Sequence, residues 1–250
     1  MKRGTTYKPY DQIILFGDSI TEWSEHQDKG FAFATTLRNA YLRRVDVINR
    51  GLSGYDTNQA LKILPQIWPP KEVATVRLMT IFFGANDAEL QGPQFVPLNV
   101  YQQNLTTMIQ AFELDVQTKV LLLTPPPINE YQLDKSPLKG SRSAENTKRY
   151  ADACRKVGEE CGKDSNNVAV VDIWSAFMAK AGWKEGQPLI GSKDVPENAM
   201  LAALLTDGLH FSPNGYKIMY HEVMKVIAEK YPLEMPEERP YHFPRWNAGL

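Results

Sequence analysis

Five short apolar runs recur along the chain, at residues 13–16, 45–48, 78–83, 120–123 and 168–171. Segments with helical spacing of apolar residues separate most of them, at 31–43, 58–68, 100–114 and 144–161. A run that is apolar at nearly every position marks a strand covered on both faces, because a strand with one wet face alternates. A strand–helix–strand order joins neighbouring strands in parallel, and such crossovers are right-handed. The predicted fold is therefore α/β, a doubly wound three-layer α/β/α sandwich around a five-stranded parallel sheet. The ligand crevice of such a sheet lies outside the carboxyl ends of its strands.

The remaining segments read as connections and closing helices. Pro125, Pro126 and Pro127 end the fourth run, and the polar stretch to Arg142 reads as a long loop. A second loop at 182–196 leads to a short helix at 197–205, and Ser212-Pro213-Asn214-Gly215 opens a helix over 216–231. The tail from 232 to 250 carries Pro232, Pro236, Pro240 and Pro244, which predicts an extended strap packed on a single domain spanning 1–250.

Charge and cysteine usage narrow the class of partner. Lys plus Arg number 28 against 29 for Asp plus Glu, so no strong field calls for nucleic acid or an anionic membrane. No stretch approaches the roughly 18 apolar residues of a membrane span, and the N-terminus lacks the apolar core of an export signal. Cys154 and Cys161 fall in one helical segment, about 10 Å apart along its axis, too far for a disulfide. Free thiols agree with a cytoplasmic location. The oligomeric state is not legible.

Chemically suggestive residues cluster just past the runs. Ser19 follows the first, within Gly17-Asp18-Ser19-Ile20-Thr21; Gly54 follows the second; Asn86 follows the third, within Gly84-Ala85-Asn86-Asp87. A serine hydroxyl attacks a carbonyl only when a base takes its proton. Of His26, His210, His221 and His242, only His210 has a carboxylate at local spacing suited to orient it, Asp207 three residues earlier. His221-Glu222 lacks the second histidine of a zinc protease motif. The serine N–H, the Gly54 N–H and the Asn86 amide are candidate donors to a developing oxyanion. Asp18 and Asp87 are expected to fix their turns by accepting backbone N–H groups.

These motifs, Gly-Asp-Ser-Ile, Ser-Gly, Gly-Ala-Asn-Asp and Asp-Gly-Leu-His, stand in the order and separations of the SGNH (GDSL-type) hydrolases, which the chain resembles over residues 12–231. Ile20 replaces the leucine of the usual signature, and no Gly-x-Ser-x-Gly elbow of an α/β-hydrolase is present. The resemblance implies a flavodoxin-like sheet, with the four named roles on Ser19, Gly54, Asn86 and His210. Leu-Phe-Gly-Asp-Ser-Ile-Thr-Glu, Asn-Arg-Gly-Leu-Ser-Gly-Tyr and Leu-Thr-Asp-Gly-Leu-His-Phe-Ser are similar to the isoamyl acetate-hydrolysing esterases. That likeness implies short-chain acetate esters as small-molecule substrates.

The expected reaction is ester hydrolysis by Ser19, His210 and Asp207 through an acyl-enzyme, with no metal or organic cofactor. Activity should fall on acidification as the imidazole takes up a proton. Ile20, Leu52, Leu209 and Phe211 adjoin the site in sequence and are expected to wall the substrate pocket, rimmed by the loops at 88–98 and 125–142. Two alternatives keep the chemistry, a deacetylase of a sugar or metabolite and a lysophospholipase. A third is a catalytically silent scaffold, against which all five site residues are intact.

Overall fold

The computed structural model describes residues 8–113 and 118–248. Five parallel strands, β1 (Gln12–Gly17), β2 (Asp46–Gly51), β3 (Val76–Phe82), β4 (Lys119–Leu123) and β5 (Val168–Val171), form one sheet in the order β2-β1-β3-β4-β5. The order reverses between β1 and β3, which is the switch point where doubly wound sheets open a crevice.

Alternation along each strand explains the three layers. Ile13 and Leu15 of β1 join one core, Ile14 and Phe16 the other, because successive side chains leave opposite faces. On the first face lie α2 (Phe33–Ala40), α7 (Ile173–Lys180), α8 (Ala199–Leu204) and α9 (Pro213–Lys230). On the second lie α3 (Thr57–Ile67), α4 (Leu98–Glu113) and α6 (Ala144–Asp164). Short polar side chains start these helices, each accepting an otherwise unpaired N–H: Asp56 for α3, Ser143 for α6, Asp172 for α7 and Ser212 for α9. Asp56 and Gln59 complete a reciprocal capping box.

The apolar runs all became strands, and the helices differ mainly at their ends. The first, expected over 31–43, is the shorter α2; the third begins at Leu98, while Leu114 lies outside the described residues. Three helices were not anticipated. α1 (Ser19–Glu22) follows β1, α5 (Glu130–Leu133) interrupts the predicted 125–142 loop, and α7 follows β5 directly. The tail begins with a 3-10 turn at Pro232–Glu234 rather than as a fully extended strap. Tyr41 donates its hydroxyl to the Glu234 carbonyl at 2.7 Å, Arg239 pairs with Asp11 at 3.0 Å, and His242 stacks on Tyr10. Asp11 precedes β1, so this packing lies at the amino ends of the strands. Cys154 and Cys161 are not joined in a disulfide. Among the described residues no helix is long and apolar enough to cross a membrane.

Candidate active site

Register brings the candidate residues together. Gly17 pairs with Gly51 of β2 and with Phe82 of β3, so β1, β2 and β3 finish at one level. The segments carrying Ser19, Gly54 and Asn86 therefore leave the sheet side by side. Close approach seals the arrangement: a Cβ on Gly51 would stand 2.0 Å from the Glu22 nitrogen, so α1 (Ser19–Glu22) can settle against β2 only over a glycine. Asp18 caps α1, its carboxylate accepting the Ile20 N–H at 2.9 Å, and this sets the turn on which Ser19 sits.

The loop before α9 supplies the partner. Ser19 Oγ lies 2.9 Å from His210 Nε2, although 191 residues separate the two. His210 Nδ1 lies 2.7 Å from Asp207 Oδ2, while Asp207 Oδ1 accepts the backbone N–H groups of Leu209 and His210 at 3.0 and 2.9 Å. Asp207 thus holds both the ring and the backbone of its histidine. Burial alone would raise this carboxyl, but the His210 hydrogen bonds and charge, with the Leu209 N–H, outweigh it and hold Asp207 at about 2. An ionised aspartate on Nδ1 leaves Nε2 free to accept the serine proton.

Among the described residues none of the other three histidines bonds to Ser19 or Asp207, although His26 stacks on Trp23 with ring centroids 6.3 Å apart. His26 and His221 are exposed, and His242 packs on Tyr10 with its Nε2 3.1 Å from the Lys8 carbonyl.

Three donors on the segments that follow β1, β2 and β3 are not fully occupied among the described residues. The N–H groups of Ser19 and Gly54 meet no acceptor among the described residues. The Asn86 amide donates once, to the Tyr55 carbonyl at 2.9 Å, and retains a second N–H. Asp87 draws the loop after β3 onto α3 by accepting the N–H and hydroxyl of Thr57. Burial pushes Asp18 up to about 6 against the pull of the Ile20 N–H and the charges of His210 and Arg142. Burial likewise pushes Asp87 up to about 7, against the Thr57 hydrogen bonds.

The four apolar residues expected to wall the pocket divide. Ile20 and Leu209 are 1% and 2% exposed and packed into the core beneath the site, Phe211 is 5% exposed but lines a small cavity with Trp23 and His26, and Leu52 keeps accessible surface. For Ile20 and Leu209 adjacency to a site residue works against them, because the next side chain along the chain points elsewhere; Phe211 also packs against Phe82 and Phe177. Sequence adjacency also misses three residues that touch the site. Trp23 lies against the His210 ring. Gln94 and Arg142, from the two loops expected to rim the crevice, bond to Gly54 and Asn86. A cavity of about 990 Å³ opens instead along β5, lined in part by Lys119, Gly158 and Tyr231, and contains none of these residues. No cluster of potential metal ligands occurs among the described residues.

An α/β/α sandwich with a Ser-His-Asp hydrogen-bond chain at the carboxyl edge of its sheet has the frame of an enzyme that transfers acyl groups from esters. The chain belongs to the GDSL-like lipase/acylhydrolase family, whose model matches residues 15–218, and it is a carboxylic ester hydrolase. It is 33% identical to the isoamyl acetate-hydrolyzing esterase of Saccharomyces cerevisiae, over 96% of each chain. It is also 33% identical to a GDSL esterase/lipase of Arabidopsis thaliana, covering 93% of this chain and 91% of that one. Among solved structures it resembles the lipase/acylhydrolase from Enterococcus faecalis, with a TM-score of 0.62 and 25% identity over 94% of this chain and 100% of the other.

Proposed function

We propose that this protein is a serine esterase acting on short-chain carboxylic esters, acetates foremost, through an acyl-enzyme. Ser19 attacks the ester carbonyl while His210, oriented by Asp207, accepts the serine proton. The carbonyl oxygen gains negative charge and is received by the N–H groups of Ser19 and Gly54 and the Asn86 amide. His210 returns its proton to the leaving alcohol; a water deprotonated by the same imidazole then attacks the acyl-enzyme and frees the acid. Every proton taken up by the imidazole is handed on, so the enzyme ends as it began.

The observation that carries this reading is the unbroken chain from Ser19 Oγ to His210 at 2.9 Å and from His210 to Asp207 at 2.7 Å. The choice of acetate is supported by the yeast relative, whose name gives isoamyl acetate as its ester. The test is hydrolysis of p-nitrophenyl acetate, butyrate and octanoate by wild type and by Ser19→Ala. Turnover should fall stepwise with acyl length, since an apolar pocket discriminates by only about 1–3 kcal/mol per methylene. It should vanish in the variant. Equal turnover of acetate and octanoate would contradict the short-acyl assignment, and turnover retained by Ser19→Ala would contradict the mechanism.

A further inference from the structure

Arg142 is 4% exposed, yet no carboxylate among the described residues stands within ion-pairing distance of it. Glu89, Asp18 and Asp207 act on it only at longer range. A buried cation without a paired anion is costly, so its retention calls for a compensating partner. The guanidinium instead donates to neutral oxygens. Nε reaches the Ala85 carbonyl at 2.7 Å, Nη1 the Ser141 hydroxyl at 2.9 Å, and Nη2 both Asn86 Oδ1 at 3.0 Å and Gln94 Oε1 at 3.1 Å. Gln94 then donates from Nε2 to the Gly54 carbonyl at 2.8 Å. One rigid fork therefore holds the Asn86 amide directly and the Gly54 turn through a single side chain.

The direction of these bonds matters. With Oδ1 occupied by Arg142 and Nδ2 bonded to the Tyr55 carbonyl, Asn86 cannot turn its amide over. A flipped amide would present an oxygen to the developing oxyanion and repel it. A donor pulling on Oδ1 also polarises the amide, which strengthens the remaining N–H.

We propose that Arg142 is a positioning residue of the oxyanion hole, fixing Asn86 directly and Gly54 through Gln94, and that its buried charge favours the negative charge that develops on the substrate carbonyl oxygen. Otherwise that buried charge is met only by more distant carboxylates. This rests on the reading of Gly54 and Asn86 as oxyanion donors. Lysine cannot replace the fork, because a point charge on a flexible stem does not hold the Ala85, Asn86 and Gln94 oxygens together.

The test is steady-state hydrolysis of p-nitrophenyl acetate by Arg142→Met, Arg142→Lys and Gln94→Leu, each made in wild type and in Asn86→Ala. Arg142→Met should lower kcat about 100-fold, the effect of a misplaced catalytic group, with KM changed less than about 3-fold. Arg142→Lys and Gln94→Leu should each lower kcat about 10-fold, being partial versions of the same loss. In Asn86→Ala these losses should shrink, because residues acting through one another are not additive. An unchanged kcat, or the same loss in both backgrounds, would overturn the proposal. If Arg142→Met does not fold, the Lys and Gln94→Leu cycles decide by the same criterion. A normal kcat in Asn86→Ala alone would overturn the oxyanion reading and the proposal with it. A low kcat there beside unaffected Arg142 variants would overturn the proposal alone.

Discussion

The indole of Trp23 lies against the imidazole of His210, ring centroids 4.0 Å apart and planes 32° from parallel. Trp23 is only half-buried and opens the 3-10 turn that continues α1, so the helix that presents Ser19 also supplies an aromatic face to its base. In the proposed reaction an imidazolium forms there during each turnover, and the face of an indole attracts a cation.

Trp23→Leu should therefore lower kcat/KM about 2- to 30-fold, corresponding to the ~0.5–2 kcal/mol of a cation–π contact. Trp23→Phe should recover part of the loss. Both are read from initial rates on p-nitrophenyl acetate. Full activity in Trp23→Leu would remove the indole from the mechanism.

Asp207→Asn should lower kcat about 10³- to 10⁴-fold with little change in KM, since an amide on Nδ1 favours the wrong imidazole tautomer. The same carboxylate affects stability. Its folded value of about 2 lies below that of the unfolded chain, so its contribution is present above about pH 4 and is lost as pH falls toward 2. Urea unfolding at pH 2.5 and pH 6 should show a larger acid loss in wild type than in Asp207→Asn. An equal acid loss would contradict the depressed carboxyl.

Asp87 should behave in the opposite sense. Its carboxyl is pushed up to about 7 in the fold, so between about pH 4 and pH 7 the native state holds a proton that the unfolded chain has released. Stability from this group therefore falls as pH rises through that window. Asp87→Asn should flatten the decline by on the order of 1 kcal/mol or more, measured by urea unfolding across the window. A variant curve parallel to wild type would contradict the assignment.

Gly208 turns the chain between Asp207 and His210 at φ 95°, and a Cβ there would stand 2.5 Å from the Asn129 carbonyl and 2.7 Å from the Leu133 nitrogen. Gly208→Ala should lower stability by about 1–3 kcal/mol and depress kcat, because the loop that carries both residues must shift. Thermal unfolding with parallel rates is the measurement. Wild-type values for both would show that the turn tolerates a side chain.

The sheet was legible because β1, β3, β4 and β5 are mostly buried and read as nearly unbroken apolar runs, while the edge strand β2, with Asp46 and Arg50 exposed, showed only through Val45, Val47 and Ile48. Helix α7 was not legible, since its outer face sets Ala176 and Ala179 beside Ser175 and Lys180, and over eight residues the contrast with buried Ile173, Trp174, Phe177 and Met178 is too weak to mark a helical period. Its one local signal is Asp172, which caps it. Helix α5 is four residues long, too short for any periodicity to register. Ser19, Asp207 and His210 stood out because turn and spacing mark them locally. Arg142, Gln94 and Trp23 carry no such mark. Arg142 reaches Asn86 across 56 positions of sequence, and only the folded loops after β3 and β4 bring them into contact.

The most direct measurement is the mass of the protein quenched during turnover of p-nitrophenyl acetate, followed by peptide mapping. An acetyl group on the Ser19 peptide, absent from Ser19→Ala, is the predicted result. Acetylation confined to another residue, or undiminished turnover by Ser19→Ala, would contradict the serine mechanism.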